Sequence, residues 1–153
     1  PRNNIVTANV TEFLYGLAIY KKNYINAERY LKDIIDIKSS LYGAESPEAH
    51  LAKLKLANFY LDNTNNITEA EQIYNESYFK VVSPQIGAWH KDHLDILNHI
   101  AELYEFTDKY KLANEILDKA TYIARAKYDD TSYQYGIELN KIAKLQIKIG
   151  EYD

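Results

Sequence analysis

The sequence predicts an all-α chain of about seven helices, laid down as antiparallel pairs. Three observations carry that reading. Apolar residues recur at i, i+3, i+4 and i+7 over long stretches, the spacing of amphipathic helices. Only 3 prolines and 5 glycines are present, too few for many short strands and tight turns. The breaks between apolar stripes fall at regular intervals, and the stripes resemble one another.

Each helix is bounded by its breakers. The first two are expected over 5–22 and 24–42, the second carrying the stripe Ala27, Tyr30, Leu31, Ile34, Ile35 and Ile37. Gly43 to Pro47 ends that pair, and a third helix follows over 47–62. The polar, Asn-rich segment Asp62 to Asn66 breaks the chain before a fourth helix over 67–82, and Ser83-Pro84 to Gly87 ends it. The fifth, 90–106, carries the stripe Ile96, Leu97, Ile100, Ala101, Leu103 and Tyr104. Thr107-Asp108 introduces a sixth helix over 110–127, and Asp129-Asp130-Thr131-Ser132 a seventh over 132–149; both segments are N-cap candidates. No long linker divides these elements, so residues 1–153 are expected to form one domain.

Composition narrows the function classes. Hydrophobic residues make up 46% and charged residues 26%, enough apolar material for a packed core. Cysteine is absent, which removes disulfides, thiolate metal sites and a cysteine nucleophile. No apolar run reaches the roughly 20 residues of a membrane span, and Pro1-Arg2-Asn3-Asn4 begins no signal peptide. Net charge is −4 and no Lys/Arg cluster exists, so neither nucleic acid nor a membrane is an expected partner. A cytoplasmic location is expected. Arg2, Arg29 and Arg125 stand against 15 lysines, and Ile, Asn and Tyr abound, a bias toward AT-rich codons that discourages reading every Tyr as a selected feature.

The internal repeat is explicit in two registers. Tyr24-x-x-Ala27, Ile67-x-x-Ala70 and Tyr110-x-x-Ala113 recur at an offset of 43, as do Leu31, Tyr74 and Leu117, and Ile34, Ser77 and Ala120. Leu56-Ala57, Ile100-Ala101 and Ile142-Ala143 align at offsets of 44 and 42. Small residues at these columns let two helices of a hairpin approach, so Ala57, Ala70, Ala101, Ala113 and Ala143 are expected at buried crossings. Leu-Ala-x-x-Tyr, a turn, then Tyr-x-x-Ala-Glu resembles the tetratricopeptide repeat. The 42–44 residue period, with Tyr42-Gly43-x-x-x-Pro47-x-Ala49, Ala57-Asn58-Phe59-Tyr60 and Ala70-Glu71-x-x-Tyr74, resembles the longer repeats of kinesin light chains. The resemblance covers nearly the whole chain, with repeats at 5–43, 47–86, 90–128 and a half repeat at 132–153. It implies a right-handed superhelical solenoid of helix pairs. The loop Gly87-Ala88-Trp89-His90 departs from the pattern by lacking proline, and the turn before Asn23-Tyr24 is one residue short.

Ile142 to Asp153 matches the first helix and turn of a further repeat. The chain also has no Met, and is therefore expected to be a piece of a longer protein. The last helix would then lack its partner, leaving Ile142, Leu145 and Ile149 partly bare and open to self-association.

No catalytic constellation is expected. His90-x-x-His93 with Asp92 and Asp95 supplies two imidazoles where a metal needs three or four convergent ligands, so the pair reads as solvated and no metal site is expected. No Gly-x-Ser-x-Gly elbow or phosphate loop is present, and Asp129-Asp130 or Glu69 and Glu71 read as caps and surface charges. No cofactor is implied. Trp89 is expected to pack between hairpins, and Tyr20, Tyr24, Tyr60, Tyr74, Tyr104 and Tyr110 to fill core columns.

The expected function is therefore a non-catalytic scaffold that binds a peptide or partner protein; the alternative is a regulatory or sensory segment of a larger enzyme or signalling protein. In the tetratricopeptide type the first helix of each pair lines the concave groove. Counting from the small column, Leu54, Asn98 and Asn140 stand three before it; Lys55, His99 and Lys141 two before; Asn58, Glu102 and Lys144 one after. The groove candidates are thus Lys55, Asn58, Asn98, His99, Glu102, Asn140, Lys141 and Lys144. An Asn amide carries both donor and acceptor and can hold a peptide backbone whatever its sequence. Kinesin light chains carry Asn at a matching column, which is what the resemblance implies for Asn98 and Asn140.

Overall fold

The computed structural model describes residues 4–82, 92–129 and 131–150, without the side chains of Lys80 and Val81. The break at Ser83-Pro84 to Gly87, Trp89, His90 and the last three residues lie outside the described residues. Among the described residues there are seven helices and no strand. They are α1 (Ile5–Tyr20), α2 (Tyr24–Tyr42), α3 (Pro47–Phe59, continued as a π-helical turn over Tyr60–Thr64) and α4 (Ile67–Ile73, continued as π-helix over Tyr74–Val82). α5 (His93–Phe106), α6 (Tyr110–Lys127) and α7 (Tyr133–Gly150) follow. The chain forms two compact units, Pro1–Ile86 and Gly87–Asp153. In the first, α2 packs on α1 and α3, and α3 on α4; in the second, α6 packs on α5 and α7, and α5 also meets α7.

The caps are local and readable. Asn4 Oδ1 accepts from the Thr7 N–H, Asn23 Oδ1 from Asn26, and Ser46 Oγ from Ala49, each filling one of the orphan donors of a first turn. Pro47 occupies the first turn of α3, where its missing N–H costs nothing. Ser132 Oγ accepts from Tyr135 and so starts α7. Thr107-Asp108 does not cap α6. Its N-cap is Lys109, with no side-chain capping bond, because Asp108 is used as the left-handed residue of the preceding turn.

That turn recurs with the repeat. Lys22, Asn65 and Asp108, 43 residues apart, have φ of 55°, 54° and 57°. In the first turn Lys22 N–H bonds Ile19 O and Asn23 N–H bonds Ala18 O; in the third Asp108 N–H bonds Glu105 O and Lys109 N–H bonds Tyr104 O. A left-handed residue closed by a bond five residues back ends one helix and points the chain into the next, which starts two residues later. In the middle turn the closing bond runs from Asn66 N–H to Tyr60 O, one residue further back, because the end of α3 is π-helical.

The second-helix columns are the core. Ala27, Ala70 and Ala113 are fully buried, as are Leu31 and Leu117, while Tyr74, Ile34, Ser77 and Ala120 are at most 1% exposed. Ala57 and Ala101 are also fully buried. Tyr60, whose burial raises its phenol to about 12, donates to Glu28 Oε1 at 3.0 Å and ties α3 to α2.

Several expectations are corrected. Ala143 is exposed, because α7 turns the face carrying Glu138, Ile142 and Ile149 inward. For the same reason Ile142 (2% exposed) and Ile149 (0%) are covered by α5 and α6 rather than bare, and only Leu145 is half-exposed. Tyr20 is 85% exposed and Tyr24 lies at the surface, so neither fills a core column. His93 is buried rather than solvated.

Candidate functional site

A cavity of about 400 Å³ opens between α5 and α7 of the second unit. Each helix supplies four residues at i, i+3, i+4 and i+7, the spacing of one helical face. α5 supplies Asp95, Asn98, His99 and Glu102; α7 supplies Lys141, Lys144, Leu145 and Lys148. Five of the eight groove candidates, Asn98, His99, Glu102, Lys141 and Lys144, therefore share one cavity.

The other three do not line it. Asn140 is exposed and points elsewhere on α7. Lys55 and Asn58 belong to α3 in the first unit. Lys55 Nζ lies 3.7 Å from Glu12, and Asn58 Oδ1 accepts the Tyr74 hydroxyl. Leu54, at the column of Asn98, is buried.

One wall of the cavity carries acids and the other bases. The outer lysines are tethered from below. Lys141 Nζ donates to Glu138, itself buried, at 3.1 Å, and Lys148 Nζ donates to the buried Glu105 at 2.8 Å. Lys144, one turn from each, has no ion-pair partner among the described residues. On α5, His99 Nδ1 meets the Asp95 main-chain oxygen at 2.8 Å. A proton on Nδ1 makes that bond.

Asn98 is the unusual member. It is 7% exposed, and its Oδ1 has no hydrogen-bond partner among the described residues. A buried polar atom without a partner costs about 1–3 kcal/mol. A half-turn about χ2 exchanges oxygen and nitrogen, so the amide can present a donor or an acceptor to the cavity.

Sequence reasoning missed Asp95 and Lys148 as members of these two walls. Both lie on the same faces, three residues before Asn98 and four after Lys144, and continuing each stripe by one turn finds them.

A second cluster was also missed. In the first unit His50, 4% exposed, meets Ser77 Oγ through Nδ1 at 3.0 Å, and its Nε2 lies 3.5 Å from Glu45 Oε2. Serine, histidine and carboxylate in line have the order of an acyl-transfer triad. Ser77 is only 1% exposed, however, so no substrate carbonyl reaches its hydroxyl, and the cluster serves to fasten α3 to α4. Burial pushes the His50 imidazole below its ordinary range, with Lys53 acting in the same direction and Glu45 against it.

No family model and no curated protein matches the chain.

Proposed function

We propose that the chain is a protein-interaction module of the tetratricopeptide type, and that its second unit takes an extended segment of a partner protein in the α5–α7 cavity. The observation that carries this reading is the convergence of Asn98, His99, Glu102, Lys141 and Lys144 on one cavity, with Asn98 Oδ1 unpartnered among the described residues. About 400 Å³ falls within the range of ligand sites, about 300–1,000 Å³, and suits a few residues of peptide rather than a folded surface. Asn98 pairs with a main-chain amide whatever the side chains, and Lys144 receives a carboxylate. The acidic α5 wall accepts a cation on the same segment, so the partner sequence carries both signs. The module itself performs no chemistry in this reading.

The test is selection of peptides from a random display library on the purified chain, followed by titration of the winners against Asn98→Ala, Lys144→Ala and, as a control outside the cavity, Lys55→Ala. Tenfold weaker binding for the first two, about 1.4 kcal/mol each, with Lys55→Ala unchanged, supports the reading. Peptides indifferent to both cavity changes would place binding elsewhere.

A further inference from the structure

Exposed apolar residues gather along one face of α1, in the first unit. Val6, Val10, Phe13, Leu17 and Tyr20 are 64%, 53%, 71%, 41% and 85% exposed. Their spacing is 4, 3, 4, 3, which is the seam of a two-stranded coiled coil over two heptads. The opposite face of α1, with Ala8, Thr11 and Ala18, already packs against α2. α1 is thus apolar on two sides, and only one is covered.

Charge decides what can cover the other. Glu12 is the only charged residue of α1, and it points to Lys55. Within α1 the positions flanking the seam are Thr7, Asn9, Leu14 and Gly16, all uncharged; Lys21, the next flanking position, lies just past the helix and falls opposite Ile5 of an antiparallel copy. In a chain with 26% charged residues this face carries nothing that repels its own copy. A Cβ built on Gly16 meets nothing within 4 Å, so the flank of the seam is open there. Phe13 stands seven residues from each end of the stripe. Two such stripes laid antiparallel bring Phe13 against its own copy and Val6 against Tyr20.

The area is sufficient for weak pairing. Phe13 and Tyr20 leave on the order of 300 Å² to solvent, and with Val6, Val10 and Leu17 the stripe reaches about 500 Å². Two copies then bury about 1,000 Å², the lower edge of specific interfaces, where complexes are micromolar or weaker. We infer that α1 is a self-association face, through which two copies of this chain pair along the Val6–Val10–Phe13–Leu17–Tyr20 seam into an isologous dimer.

Sedimentation equilibrium of the 153-residue chain from about 1 to 500 µM tests this. The expected weight-average mass climbs from the 17.8 kDa of one chain toward twice that value. Phe13→Glu and Phe13→Lys each hold it at one chain across the range, with helical circular dichroism unchanged since the side chain is solvent-facing. An equimolar mixture of the two restores dimers. Because the chain has no cysteine, Phe13→Cys gives a second reading, a disulfide-linked dimer under mild oxidation. A mass fixed at one chain throughout overturns the inference, and so does a dimer that survives Phe13→Glu. Binding of the monomeric wild type to phosphatidylcholine vesicles, abolished by Phe13→Glu, also overturns it by making the face a lipid surface.

Discussion

Asn98→Leu separates a side chain kept for structure from one kept for a ligand. The two side chains have nearly the same length and volume, so the cavity wall keeps its shape. In the free protein Asn98 is 7% exposed with its Oδ1 unpartnered among the described residues, and the penalty for such an atom is about 1–3 kcal/mol. Leucine removes that penalty and adds buried apolar surface, offset in part by the loss of whatever its Nδ2 hydrogens reach. The net expectation is a gain of about 1 kcal/mol, or roughly 2–4 °C in melting temperature at this chain size. Urea unfolding followed by circular dichroism reads it as a rise in the midpoint at constant slope. The same variant should lose about tenfold in affinity for any peptide selected on the wild type. A fall in stability of more than about 1 kcal/mol would refute the reasoning, because it would mean that the amide is satisfied within the fold and is part of its scaffold.

Other consequences are equally direct. Lys22→Gly should stabilise the chain by about 1 kcal/mol, since Lys22 holds φ of 55° at a cost of roughly 1–2 kcal/mol; Asn65→Gly should gain less, asparagine tolerating that region better. Ala113→Glu should cost several kcal/mol by placing a carboxylate at a fully buried crossing, whereas Ala143→Glu, on an exposed face, should stay within about 0.5 kcal/mol; equilibrium unfolding compares the two. The His50 imidazole is lowered in the folded state, so the unfolded chain binds its proton first. Stability should therefore fall as pH drops from about 6.5 toward the lower folded value, and His50→Asn should flatten that part of the profile. Tyr60→Phe should cost about 1 kcal/mol by removing the bond to Glu28.

How far the sequence could be read depended on which physical term decided each feature. Helix positions follow from apolar period and breakers, both local, and all seven helices appear where the stripes and breakers put them. The second-helix columns were equally legible, because a fully buried alanine is demanded at a close crossing and its neighbours four and seven residues on share its face. The first-helix column worked for Ala57 and Ala101 but not for Ala143. Periodicity gives a helix's apolar face only to within a residue, and in α7 the choice between Ile142 and Ala143 is made by packing against α5 and α6, which no local pattern contains. That single step of rotation explains the site as well. It turns Asn140 away, yet keeps Lys141 and Lys144 on the cavity side and brings Lys148 onto the same wall. The positive φ of Lys22 was illegible for a different reason. The turn is imposed by the need to start α2 two residues later, and lysine gives no sign of it, whereas Asn65 and Asp108 are residue types that accept this conformation. The exposed seam of α1 shows the limit most plainly. Its residues have the period of a buried stripe, and sequence alone assigned Tyr20 to the core. Only the packing of α1 on α2 reveals that the helix has two apolar faces, of which the described residues of its own unit leave the Val6–Tyr20 face exposed.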